Sequence, residues 1–137
     1  ETTKENQINM YNFGLNLGIA FQLQDDYLDT FGDASFGKKI GGDIIENKKT
    51  ILYLKSLAIS NEKQREELLR AYALNEVDNK IARVREIFQI TNADKAVRQL
   101  IKNYTQKALM ILEKITIGDD KREYLKTFAL QLMNRKI

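Results

Sequence analysis

The chain has 137 residues, with 22 Lys and Arg against 19 Asp and Glu, a net charge of +3. That is enough for one domain with a core, and too small a basic excess, without a dense basic block, to argue for nucleic acid. There is no cysteine, histidine or proline, which excludes disulfides and thiol or Cys-based zinc chemistry, removes the commonest general base and favours long uninterrupted helices.

Helical periodicity runs through the whole sequence. A first helix is expected from about Lys4 to Phe31, then a glycine-rich loop from Gly32 to Gly42. Asp43 with Glu46 fits a capping pattern that opens a helix carrying Ile44, Ile45, Ile51, Leu52, Leu54 and Leu57. Asn61 with Gln64 opens another, with Leu68, Leu69 and Tyr72. The segment Glu76 to Ile90 holds Val77, Ile81, Val84, Ile87 and Phe88 at helical spacing. Asn92 or Asp94 starts a long helix that Gly118-Asp119 breaks, and a last helix runs from about Asp120 to Arg135 with Leu125, Phe128, Ala129 and Leu132 inward. No alternating strand is expected, so the reading is an all-α bundle. No apolar run reaches the ~20 residues of a membrane span, and no signal peptide is visible, so a cytoplasmic protein is expected. The first residue is Glu1, not Met, and the chain is expected to enter partway into a longer protein.

One face of the first helix is unusual. Gly14, Gly18, Gln22, Asp25, Asp26 and Asp29 follow one another at one-turn spacing among Phe13, Leu15, Leu17, Ile19, Phe21, Leu23, Tyr27 and Leu28. At ~5 Å and an effective dielectric near 20, each close pair of these carboxylates repels by roughly 3 kcal/mol before solvent screening. They also sit near the negative end of the helix. A hard divalent cation is the simplest compensation, and without His or Cys its ligands must be oxygen, which favours magnesium, calcium or manganese. Gly14 and Gly18 also fit close helix packing, and Gln22 a bond to a neighbouring backbone group.

The loop GDASFGKKIGGD comes next, with Lys38 and Lys39 among its glycines and Lys48, Lys49 and Thr50 just after Asp43. Lysines on a glycine loop beside a carboxylate cluster suit a polyphosphate bridged to the acids by magnesium. No Walker pattern is present. Asp43 as a plain helix cap, and Lys48 and Lys49 as solvated residues, stay open on spacing alone.

The run Phe21-Gln22-Leu23-Gln24-Asp25-Asp26-Tyr27-Leu28-Asp29 resembles the second aspartate-rich motif of trans-isoprenyl diphosphate synthases, the farnesyl and geranylgeranyl diphosphate synthase group. Gly37-Lys38-Lys39-Ile40-Gly41-Gly42-Asp43 and Asn47-Lys48-Lys49-Thr50 resemble that family's subsequent loop and helix start. The resemblance covers the whole chain as the C-terminal part of a single isoprenoid-synthase domain, a bundle of mostly antiparallel helices around a cavity. It implies a prenyltransferase that condenses an allylic prenyl diphosphate with isopentenyl diphosphate, with magnesium, or manganese in its place, as cofactor.

Residue by residue, the resemblance makes Asp25 a direct metal ligand and has Asp26, Asp29 and Asp43 act through the metal or its waters. It puts Gln22 beside the allylic substrate, Lys38 or Lys39 on the diphosphate, and Lys48 in support. It also implies a homodimer, with neither nucleic acid nor a membrane span involved, and space at Gly14 and Gly18 for the isoprenoid tail. The chain departs from the family in carrying only one aspartate-rich motif of the family's form. Asp119-Asp120 lacks a third Asp at the right spacing, so the isolated chain is expected to be incomplete for catalysis. The rival readings are a non-catalytic subunit of a prenyl synthase and a terpene cyclase-like lyase of the same fold.

Overall fold

The computed structural model describes residues 3–32 and 40–134. Among these residues there are seven helices and no strand: α1 (Lys4–Phe31), α2 (Gly42–Ile45), α3 (Ile51–Ile59), α4 (Glu62–Tyr72), α5 (Val77–Ile90), α6 (Ala93–Lys114) and α7 (Asp119–Met133). α1 has the extent that its period predicts.

Three helix starts, those of α1, α4 and α5, are capped by a local side chain. At α4 the capping box is complete: the Gln64 N–H donates to Asn61 Oδ1 (2.8 Å) and the Asn61 N–H to Gln64 Oε1 (3.0 Å), so two orphan donors are satisfied reciprocally. Glu76 caps α5 by accepting from the Asp78 and Asn79 N–H groups. Asn92, with φ 64°, separates α5 from α6.

The expected single helix from Asp43 through Leu57 is two helices. α2 is one turn and closes at Asn47, with φ 58°. There the Asn47 N–H donates to the Ile44 carbonyl (3.1 Å) and the Lys48 N–H to the Asp43 carbonyl (2.9 Å). These are the paired bonds of a helix end closed by a left-handed residue, a conformation asparagine tolerates better than most. Thr50 is extended and α3 restarts after it. Asp43 is not the cap of α2. Gly41 holds that position with φ 86° and no side-chain cap, and the Asp43 N–H is taken by Asp29 from α1.

The helices gather into two compact units. Within the described residues, the first comprises 3–24 and 100–134. Its core is Phe13 and Leu17 of α1, Ala108 and Leu112 of α6, Ile115, and Ala129 of α7, with Leu125 and Leu132 partly buried against it. Asn6 stitches this unit by donating to the Thr116 carbonyl (2.8 Å) and accepting from the Thr116 N–H (3.0 Å). The buried Gln24 amide donates to the Met133 carbonyl (2.8 Å), one of the orphan acceptors at the end of α7. Phe128, expected inward, is 49% exposed.

The second unit comprises 25–32 and 40–99. α5 packs against α2, α3 and α4, and Leu28, Ile44, Leu52, Leu68, Val84, Ile87 and Phe88 are fully buried. The Ser56 and Thr91 hydroxyls meet at 3.1 Å in this interior. Leu54 and Leu69, apolar residues of α3 and α4, are exposed.

Candidate functional site

The acids at the end of α1 do not share one environment. Asp25 and Asp26 are half-buried, whereas Asp29 is 8% exposed. Asp29 faces α2: its Oδ2 accepts the Asp43 N–H at 2.8 Å and its backbone carbonyl accepts the Gly41 N–H at 2.6 Å. A methyl group on Gly42 would come within 3.3 Å of Asp29 Oδ1, so the missing side chain lets the backbone approach the carboxylate. Asp29 therefore docks the turn that carries Asp43 onto the end of α1.

Asp43 stands on that turn, with Lys48 Nζ 3.5 Å from its Oδ1 and 3.4 Å from Glu46 Oε1. Glu46, by hydrogen bond and charge, and then Asp43 hold the Lys48 ammonium above the ordinary lysine value. The ammonium is exposed, so these pairs are cheap to exchange for another anion. Gln22 is exposed on α1. Gly14 and Gly18 are exposed too, and a methyl group at either would meet nothing within 4 Å. Neither glycine serves close helix packing within the described residues. Lys38 and Lys39 lie outside the described residues.

Among the described residues, no three carboxylates converge to hold one ion between them. A closed protein cage of the calcium type does not fit this donor set. A magnesium ion fits, because it takes one or two carboxylates and completes its shell with water and phosphate oxygens.

Behind Asp43 lies a part of the site that the sequence pattern did not single out. Lys80 of α5 is 7% exposed; its Nζ donates to Asn47 Oδ1 and stands 5.9 Å from the centre of the Tyr72 ring. Tyr72 packs edge-on against Tyr53, and burial, with Tyr53 and Asp43 adding to it, pushes the Tyr72 hydroxyl well above the usual tyrosine range. A signal was present: Lys80 lies one turn before Val84 and two before Ile87, a charge on the apolar stripe of α5.

The described chain has the all-helical fold of solved prenyl synthases. A crystal structure of a geranylgeranyl pyrophosphate synthase superposes with a TM-score of 0.88 at 44% identity, covering 99% of this chain and 43% of that one. A geranylgeranyl pyrophosphate synthase from Corynebacterium glutamicum, complexed with isoprenyl diphosphate and magnesium, does so with a TM-score of 0.85 at 31% identity, covering 98% of this chain and 39% of that one. The polyprenyl synthetase family profile matches residues 1–91, and the chain belongs to that family. A short chain isoprenyl diphosphate synthase from Methanothermobacter thermautotrophicus is 35% identical over 127 residues, 91% of this chain and 38% of its own length. The geranylgeranyl diphosphate synthase of Saccharolobus solfataricus is 35% identical over 125 residues, 87% of this chain and 37% of its own. The chain thus spans about two fifths of the length of these relatives. No described helix is long and apolar enough to cross a membrane.

Proposed function

We propose that the chain supplies one carboxylate face of a trans-prenyltransferase, which joins an allylic prenyl diphosphate to isopentenyl diphosphate and releases diphosphate. The observation that carries this reading is the docking of Asp43 and Lys48 onto the end of α1 by Asp29, in a chain of the polyprenyl synthetase family. It gathers anionic and cationic groups at one helix end without a histidine or cysteine nearby.

Asp25 would hold magnesium directly, with Asp26 and Asp43 reaching the ion through its waters. When bound, that ion supplies the positive charge that stabilises the departing diphosphate. Lys48 turns from Asp43 and Glu46 to the phosphate oxygens. Gln22 orients the allylic end of the substrate, and the open face at Gly14 and Gly18 takes its isoprenoid tail. Asp29 stays with the Asp43 N–H and keeps the turn in place. Once the allylic carbon–oxygen bond breaks, the carbocation alkylates the double bond of isopentenyl diphosphate and a proton leaves to a diphosphate oxygen. No protein nucleophile is required, which agrees with the side chains this sequence has. These 137 residues carry one aspartate-rich motif of this form, and an opposing motif supplied from elsewhere in the enzyme, the homodimer and the cytoplasmic setting belong to the same proposal.

The test is Asp25→Ala in the full-length enzyme. Turnover is expected to fall by about 10²–10³ or more, as when one preorganised electrostatic group is lost, with the protein still folded. Wild-type turnover would refute the assignment. Ionised products formed equally well without isopentenyl diphosphate would favour a lyase.

A further inference from the structure

The one-turn helix α2 carries Asp43 and is held from two sides. Asp29 of α1 accepts the Asp43 N–H at its start. α5 holds both of its ends. Beside Gly41, whose φ is 86°, a methyl group would lie 2.8 Å from Ile81 Cδ1. At the other end, Lys80 Nζ donates to the side chain of Asn47, whose φ is 58°. Asn47 and Lys48 donate the two backbone bonds that close α2 onto Ile44 and Asp43. An ammonium 7% exposed gives up most of its hydration and must recover it from its partners, so the Lys80 bond is a strong directional restraint on Asn47.

We propose that Lys80 is a positioning residue: through Asn47 it sets the closing turn of α2, and so the placement of Asp43 and Lys48 for magnesium and diphosphate. The inference rests on the prenyltransferase reading. In this role Lys80 touches neither substrate nor metal. It acts on the backbone that presents Asp43, and residues behind metal ligands are typically worth 10–100-fold in affinity.

The test uses the full-length protein with inorganic pyrophosphate and magnesium, affinity being read by calorimetry and exchange of the segment 40–50 by hydrogen–deuterium mass spectrometry. Lys80→Met is expected to weaken magnesium–pyrophosphate binding by roughly tenfold and to speed exchange at the Asn47 and Lys48 amides. KM for the allylic substrate rises more than kcat falls, and Lys80→Arg restores most of the affinity. If Lys80→Met does not fold, Asn47→Gly decides, since it removes the acceptor while glycine adopts the same φ; a weakening in the same direction is expected. Wild-type affinity and exchange in the folded variant, with Asp25→Ala still abolishing binding, overturn the positioning role and leave the functional reading standing. Wild-type protein that binds no magnesium–pyrophosphate overturns both.

Discussion

Asp25 and Asp29 are both carboxylates of one motif, yet Asp29 is the more deeply buried and docks the turn that carries Asp43. Asp29→Ala removes the acceptor of the Asp43 N–H, a 2.8 Å bond to a side chain only 8% exposed. A hydrogen bond to a charged acceptor contributes about 1.5–3 kcal/mol, and the stranded donor makes the larger end reachable. A loss of about 2 kcal/mol lowers Tm by about 4–8 °C in a cooperative unit of roughly 150–250 residues. Asp29→Asn keeps an acceptor oxygen without its charge and should lose about half as much. Asp25→Ala instead removes a carboxylate that is half-buried rather than 8% exposed, so it should cost less than Asp29→Ala. The assay is thermal and urea denaturation of the three variants in excess chelator, monitored by circular dichroism. Equal destabilisation by Asp25→Ala and Asp29→Ala, or none from Asp29→Ala, would refute the division of labour.

Asn6→Ala should cost about 1–3 kcal/mol in urea denaturation, because both bonds to the Thr116 backbone are lost. Gly41→Ala combines a φ of 86° with a 2.8 Å approach to Ile81 and should cost about 2–4 kcal/mol. In a double-mutant cycle with Ile81→Ala, at least about 1 kcal/mol of that cost should be recovered, since the two positions touch. Tyr72 gives a pH signature. Its folded pKa is raised by burial, Tyr53 and Asp43, while the unfolded hydroxyl titrates near ~10. The folded state therefore holds the proton longer. The stability is fully present below pH ~10 and is lost as pH rises above it. Denaturation between pH 8 and 11 should show this decline, and Tyr72→Phe should flatten it; an unchanged slope would count against the burial account.

What the sequence made legible was local. α1, the Asn61–Gln64 capping box and the break at Gly118 rest on residues within one turn of each other, and each stands as its pattern predicts. What escaped was decided across the fold. Asp43 and Glu46 had the spacing of a capping box, but the Asp43 N–H is claimed by Asp29, 14 residues earlier, and the Glu46 N–H by the Gly42 carbonyl. The break at Asn47 depends on a left-handed φ that α5 supports through Lys80. The aspartate column was readable as a candidate site, but its spacing gives all three acids equal standing. Only the packing of α2 singles out Asp29. Phe128, Leu54 and Leu69 satisfied the helical period and yet face outward, because period identifies a stripe without fixing its width.

The division into two units also sets an order of assembly. The helices of the second unit are complete once Gln99 has been made, whereas the first unit joins 3–24 to a stretch that begins at Leu100. On a ribosome, α5 can meet α2, α3 and α4 soon after Gln99 emerges. Phe13 and Leu17 must wait for Leu112 and Ala129, and Asn6 for Thr116. At about 5–20 residues per second, that wait lasts roughly 2–7 s. During it Phe13 and Leu17 lack the α6 and α7 side chains that pack against them, while the half bearing the aspartates can already be packed. In a nascent chain halted just past Gln99, residues 3–24 should be less protected from exchange than in the finished protein, and full protection should arrive only with α7.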